Sequence, residues 1–262
     1  MINLSIIIPT WNTANITLQC IRSLKKYLKN FPLEIIVVDN ASTDDTVAKL
    51  KKEQGIVIIQ NKKNFGFAKA CNIGTKKATG DYLFFLNSDM MAVDDSLIDM
   101  YQYLKNNQKI GIIGPKFLNL DKSPQASVFP PQTALNAFKE FFLGQKTYSK
   151  YYPKSQKPLA VHSLSGGAML LSKKLFHQIG GWDQRYFMYF EDLELCRQVR
   201  HLGLEIFYFP QCRFIHRHGA SGHQVADSAN QWRRLIPGSK LYHGTFNHYL
   251  INGIIWLSQK LK

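Results

Sequence analysis

Gly80-Asp81-Tyr82-Leu83-Phe84-Phe85-Leu86-Asn87-Ser88-Asp89 is the stretch on which the fold turns. Leu83 to Leu86 is a continuous apolar run, the pattern of a strand covered on both faces. It stops abruptly at a polar tip that bears a carboxylate. Parallel sheets of such strands bind ligands outside their carboxyl ends, so Asp89 stands where chemistry is placed.

Upstream, Leu4-Ser5-Ile6-Ile7-Ile8 reads as a β-branched strand stopped by Pro9, with Thr10-Trp11-Asn12 as the following loop. Leu18, Ile21, Leu24 and Leu28 predict a helix over about 16–28. A second strand, Glu34 to Val38, ends in Asp39-Asn40, and Ser42, Thr43, Asp44 and Asp45 offer N-caps and acidic first-turn residues to a second helix. Right-handed crossovers then set the Thr10 and Asp39 tips side by side. Ile56 to Ile59 forms a third strand, and Asn64 to Gly74 is a glycine-containing loop entering a helix that stops near Gly80. Residues 1–92 are thus a β-α repeat with Thr10, Asp39, Asn61 and Asp89 at its strand tips, a nucleotide-binding half by architecture. The absence of GxGxxG and GxxxxGK[ST] argues against a dinucleotide or a P-loop NTPase.

Downstream, Leu97, Met100, Tyr101 and Leu104 share one face of a helix over 94–105, and a strand at Ile110 to Ile113 is expected to end at Gly114-Pro115. Residues 119–160, with five prolines and six lysines, read as an irregular, mobile insertion over the site. Order is expected again from Val161, through Gly166-Gly167 and a helix over 173–179, to a helix opened by Glu191-Asp192 and closed by Gly203. Two further strands are expected, Glu205 to Phe209 and Arg213 to His218, before a basic, aromatic helical tail over 226–262.

Lysine and arginine outnumber aspartate and glutamate by 33 to 18, and a formal charge of +15 favours anionic partners. Cys20, Cys71, Cys196 and Cys212 make no CxxC pair, and no signal peptide precedes the first strand, so a cytoplasmic location is expected. No apolar run approaches the roughly 20 residues needed to span a bilayer.

Together, Ile6-Ile7-Ile8-Pro9-Thr10-Trp11-Asn12, Val37-Val38-Asp39-Asn40-Ala41-Ser42, Asn64-Phe65-Gly66-Phe67-Ala68 with Asn72, Leu86-Asn87-Ser88-Asp89, Gly166-Gly167-Ala168 and Phe190-Glu191-Asp192-Leu193-Glu194-Leu195 resemble glycosyltransferase family 2. The resemblance runs in order over about residues 3–222 and is closest to bacterial rhamnosyltransferase-like members. It implies an α/β GT-A fold over 1–225: the Rossmann-like half with a mostly parallel central sheet, fused to an acceptor-binding half over 93–225.

It also implies an inverting, metal-dependent transferase. Single displacement needs a base for the attacking hydroxyl and neutralisation of the departing nucleoside diphosphate. The family's DxD element stands here as Asn87-Ser88-Asp89, leaving Asp89 as the main ligand of Mg2+ or Mn2+, with Asn87 on ribose or phosphate. Phe214 to Ser221 is similar to the family's C-terminal histidine motif. His216 aligns best as a second ligand, although His218, two residues on, would share its face of a strand. The resemblance places the base at Asp192, with Glu191 as the competing base or a contact to the acceptor hydroxyl. Asp39 would accept an imide N–H of uracil or thymine, so the donor is expected to be a dTDP- or UDP-sugar. Thr10, Trp11, Asn12, Asn64, Asn72, Ser88, Gly166 and Gly167 would line the donor cleft, and Trp182 would stack under an acceptor sugar or pack in the core.

A sugar-1-phosphate nucleotidyltransferase would show a GxGTRxxP-type loop after the first strand, which Pro9-Thr10-Trp11-Asn12 is not. Nucleic acid is not an expected partner, because no helix-turn-helix, zinc pattern or aromatic RNA-binding motif accompanies the charge. A saccharide acceptor is expected instead, lipid-linked and reached from the inner face of an anionic membrane through the tail, which could otherwise pack a homodimer.

Overall fold

A computed structural model of the chain describes residues 2–217 and 231–261. The apolar runs become β1 (Leu4–Thr10), then α1 (Ala14–Tyr27), β2 (Leu33–Asp39), α2 (Thr46–Leu50), β3 (Val57–Gln60), α3 (Phe67–Thr75) and β4 (Tyr82–Leu86). The four strands lie parallel in the order β3-β2-β1-β4. Their register sets Thr10 opposite Asp39 and Asp39 opposite Gln60, so the tips do meet.

The continuous apolar runs are explained by two cores, one on each face. Leu4, Ile6 and Ile8 of β1 point with Phe84 and Leu86 of β4 toward Leu18, Ile21 and Leu24 of α1. Ile7, Leu83 and Phe85 point the other way, toward Ala70 and Cys71 of α3. Each such large side chain contributes roughly 1.5–3 kcal/mol by leaving water, and the buried Ser5 of β1 is accommodated by donating to Glu34 Oε1 at 2.6 Å and accepting from Gly80 N at 2.9 Å.

The second half begins with β5 (Met90–Ala92), α4 (Leu97–Asn106), β6 (Ile110–Leu118), β7 (Pro124–Gln125), β8 (Val128–Phe129) and α5 (Ala134–Leu143). It continues with β9 (Leu159–Val161), β10 (Ser163–Leu164), β11 (Ala168–Ser172), α6 (Lys173–Gln178), α7 (Glu191–His201), β12 (Glu205–His216), α8 (Gln231–His243) and α9 (Thr245–Lys260). The main sheet runs β3-β2-β1-β4-β11-β6-β12-β5, with β7 on β6 and β9 on β12, while β8 and β10 form a separate pair. β11 enters antiparallel between β4 and β6, and this carries Gly166-Gly167 to the tip of β4.

Three expectations are corrected. β6 does not end at Gly114-Pro115 but continues to Leu118, because Pro115 lies beside the irregularity between Phe209 and Arg213, where a missing N–H interrupts no regular ladder. The two late strands are one bulged strand, β12; the expected end at His218 lies outside the described residues. Residues 119–160 are not irregular. They hold β7, β8 and α5, which Thr133 caps by accepting from Asn136 N and Gly144 closes at φ 71°. Glu140 Oε2 accepts from the amides of Thr147, Tyr148 and Ser149 at 2.9, 2.7 and 2.9 Å, and Tyr151 pairs with Val128.

Candidate active site

The tips of β1 and β2 shape the first wall. Asp39 is 2 % exposed; Oδ2 accepts from Ser42 N at 3.1 Å, and Oδ1 is buried with no hydrogen-bond partner. An ionised acceptor left bare in that way is costly unless a donor arrives, which is what an imide N–H would supply. Asn12, at φ 52°, latches the two loops: its N donates to Ser42 Oγ at 2.9 Å and its Oδ1 accepts from Thr43 N at 2.7 Å. Trp11 is half-buried beside it. Asn64 Oδ1 accepts from Gly66 N at 2.9 Å and so shapes the turn into α3. At Gly66 (φ +82°) a Cβ would lie 2.2 Å from Phe187 O, so only glycine lets α3 approach the segment before α7.

The side chains of Thr10 and Ser88 are buried beneath the strand tips. Thr10 Oγ1 bonds Thr13 and Thr17 at 2.8 and 2.7 Å, and Thr13 Oγ1 reaches Ser88 Oγ at 3.3 Å. They tie the tip of β1 to α1 and to the loop that carries Asp89.

Asp89 and His216 are brought together from β4's tip and the end of β12, both buried, with Nε2 and Oδ1 3.4 Å apart. Gln125 Nε2 donates to Asn119 Oδ1 and to His216 O, which fixes its Oε1 as the acceptor from His216 Nδ1 at 2.6 Å. His216 therefore presents Nε2 to a carboxylate oxygen of Asp89 while its Nδ1 is held by an amide, the usual arrangement of a histidine at a metal. The donor set fits Mg2+ or Mn2+. No group of three or more His, Cys, Asp or Glu able to hold a metal occurs among the described residues, so phosphate and water oxygens would complete the shell.

The opposite wall is the N-terminus of α7. Tyr189 and Phe190 precede it at φ 72° and 68°, a strained pair of non-glycine residues. Phe190 is held by the rings of Tyr242 and His243 at 5.7 and 5.5 Å. Glu191 is buried with Oε2 unpartnered, and burial, helped by the neighbouring Asp192, pushes its carboxyl up to about 8. The Cys71 thiol in α3 is pushed up by burial and, when Glu191 is ionised, by the charge of that carboxylate. Asp192 faces the other way. Its Oδ2 accepts from Gly166 N and its Oδ1 from Leu193 N, both at 2.9 Å. Burial raises the Asp192 carboxyl, opposed by those amides and by the charge of Lys150. Gly167 O accepts from Asn87 N at 2.9 Å, so two consecutive glycines join the Asp89 loop to Asp192.

Trp182 takes the second of its two expected roles, packing in the core. It is 1 % exposed and edge-on to Phe67 and Phe85 at 5.2 Å each. Asn72 likewise turns from the cleft: its Nδ2 donates to Trp182 O at 2.7 Å and its Oδ1 accepts from Trp182 N at 3.0 Å. Lys150 went unread in the sequence. Its Nζ donates to Ser165 Oγ at 3.1 Å, and burial lowers its pKa against the pull of Asp192. One lysine among six in 119–160 carries no pattern to mark it.

Residues 5–180 match the family described as Glycosyl transferase family 2. The chain belongs to that family. Residues 146–220 of this family 2 chain also match the N-terminal domain of galactosyltransferase. It is 26 % identical over 221 residues to the O-antigen biosynthesis protein RfbC of Myxococcus xanthus, covering 83 % of this chain but 17 % of that one. Over 210 residues it is 25 % identical to N-acetylglucosaminyl-diphospho-decaprenol L-rhamnosyltransferase of Mycobacterium tuberculosis, covering 71 % of this chain and 66 % of the relative. Among solved structures, GalNAc-T7 with UDP, GalNAc and Mn2+ superposes at a TM-score of 0.64 and 17 % identity, over 82 % of this chain and 44 % of that one, and places the family 2 chain in the GT-A fold. The family 2 chain thus spans less than two thirds of the length of these proteins.

Proposed function

We propose that the chain is an inverting glycosyltransferase that moves a sugar from a pyrimidine nucleoside diphosphate, dTDP-rhamnose or a UDP-sugar, to a hydroxyl of a lipid-linked saccharide in bacterial surface polysaccharide synthesis. The observation that carries this reading is the Gly166-Gly167 junction, which ties the Asp89 loop to a buried, amide-oriented Asp192. The named activity of the mycobacterial relative supports both the rhamnosyl donor and the lipid diphosphate acceptor.

Asp39 Oδ1 accepts the imide N–H of the base, and Asn87 lies beside the ribose and diphosphate. Asp89 and His216 would hold a divalent cation, which when bound would supply positive charge to the departing diphosphate. Asp192 takes the proton of the acceptor hydroxyl as its oxygen bonds the anomeric carbon; the bond from that carbon to the diphosphate breaks, and the configuration inverts. Glu191, whose carboxyl burial raises to about 8, keeps its proton at neutral pH and so puts no second negative charge beside Asp192. The enzyme would work on the inner membrane face, where lipid-linked acceptors are presented.

Thermal unfolding with UDP, dTDP and GDP, each with and without Mn2+, tests the donor assignment. Stabilisation by UDP or dTDP that requires Mn2+ is expected, and stabilisation by GDP alone would overturn it.

A further inference from the structure

Helix α9 is inside out. The side turned into the protein carries His248, Ile251 and Ser258, while the solvent side carries Phe246, Tyr249, Leu250, Trp256, Leu257 and Leu261. The outward residues recur at spacings of three, four and seven, which keeps them on one face of the helix with Gly253 in the gap. Phe246 is 78 % exposed, Leu261 71 % and Trp256 59 %. Helix α5 packs beside α9 and adds the exposed side chains of Leu135, Phe138 and Leu143. A globular chain normally turns such a stripe inward, and a contiguous apolar face turned outward marks a contact surface.

We infer that the α5–α9 face docks on an anionic lipid bilayer. Charge selects this occupant. From Ser228 to Lys262 the sequence has no Asp or Glu, while Arg233, Arg234, Lys240, Lys260 and Lys262 are basic. Lys240 Nζ lies 4.8 Å from the Tyr249 ring centre and donates to its hydroxyl at 2.9 Å, holding a cation at the border of the stripe. Lys260 falls on the stripe itself, long enough to carry its charge up to phosphate while its stem stays among apolar groups. A second copy meeting this face would bring like charges together, whereas anionic headgroups complement them. No helix among the described residues is long and apolar enough to cross a membrane, so this contact is made in the plane of the interface.

The surface reaches the site through two connections. In α8, a Cβ at Gly238 would lie 2.6 Å from Tyr189 O, and Tyr242 and His243 hold Phe190 immediately before Glu191. The segment leaving α5 brings Lys150 to Ser165. Docking therefore holds the mouth of the site at the bilayer; in this the inference rests on the reading of a lipid-linked acceptor, while its geometry is independent of sugar transfer.

The full chain is mixed with vesicles of phosphatidylcholine alone and of equimolar phosphatidylcholine and phosphatidylglycerol, and binding is read by co-sedimentation. Strong binding to the anionic vesicles is expected, lowered about tenfold or more by Trp256→Asp with Leu257→Asp. Both positions are exposed, so the melting temperature of the double variant should match that of the parent. In vesicles of brominated phospholipid, quenched tryptophan emission is expected, and Trp256→Phe should remove most of that quenching. The inference is overturned if the parent chain ignores anionic vesicles, if the double variant binds them equally, or if its only effect is to turn a dimer into a monomer in light scattering. Transfer to a soluble saccharide acceptor should be unchanged in the double variant; absence of transfer in both proteins, with vesicle binding intact, would count against the enzymatic reading and leave the docking surface standing.

Discussion

Gly166 donates its amide hydrogen to Asp192 Oδ2 at 2.9 Å, and a Cβ built at Gly166 would lie 3.2 Å from that of Asp192. The carboxylate is held by a backbone where a side chain would push Asp192 aside by a few tenths of an ångström. Asp192→Asn should keep the fold and donor affinity while lowering kcat about 10²–10⁴-fold, the range for removal of a general base. Measuring turnover beside nucleotide binding checks this; normal turnover would refute the assignment.

Lys150 lies within electrostatic reach of Asp192, and its positive charge favours the carboxylate anion. Asp192 must be ionised to accept a proton, so kcat/KM rises with pH through its pKa, which burial sets above the ordinary aspartate value. Lys150→Met should move this acid limb to higher pH. An unmoved limb with a lowered plateau would mean that Lys150 acts only on packing.

Glu191 gives a stability signature of opposite direction to that of a salt-bridged acid. Its carboxyl sits at about 8 in the folded chain against an ordinary 4.5, so the folded state holds its proton more tightly than the unfolded state does. Stability from this group is complete below the unfolded value and is lost as pH rises toward the folded one. The melting temperature should decline over this window, and Glu191→Gln should flatten the decline.

At the Asp89–His216 pair, Gln125 orients the imidazole without reaching the cation position. Gln125→Leu should weaken Mn2+ binding about 10–100-fold, the usual effect of removing an orienting partner. His216→Ala should weaken it further. Titration of Mn2+ in the presence of UDP, followed by calorimetry, reads both; equal affinity in all three proteins would exclude this pair as the metal site.

Trp182 belongs to the core, with its amide and carbonyl bolted to Asn72. Trp182→Ala should cost about 3–5 kcal/mol in urea unfolding, as large aromatic truncations do. Trp182→Phe should leave the KM for acceptor unchanged, and a selective rise in that KM would restore a sugar-stacking role.

The parallel half was legible because its strands are buried on both faces: Leu83 to Leu86 cannot read otherwise, and the tip order of Thr10 and Asp39 follows from crossover handedness. What failed shows where local pattern is silent. β7 and β8 are two residues each, too short for any period, and α5 keeps its apolar side chains outside, where periodicity gives no bearing. At the site, residue type and position foretold which side chains gather, but not which way they turn. Thr10, Ser88, Asn72 and Trp182 lie next to the cleft and face inward, because each finds partners there that are visible only once distant segments have met.

Beneath that cleft, the hydroxyls of Thr10, Thr13 and Ser88 can each donate to or accept from a neighbour, while Thr17 Oγ1 also donates to Thr13 O at 2.9 Å. A hydroxyl proton swings about its C–O bond at little cost. The dipoles under the tips of β1 and β4 can therefore reorient while every heavy atom stays in place. Such a cluster is a small polarisable dielectric, able to answer a change of charge above it without any movement of the backbone.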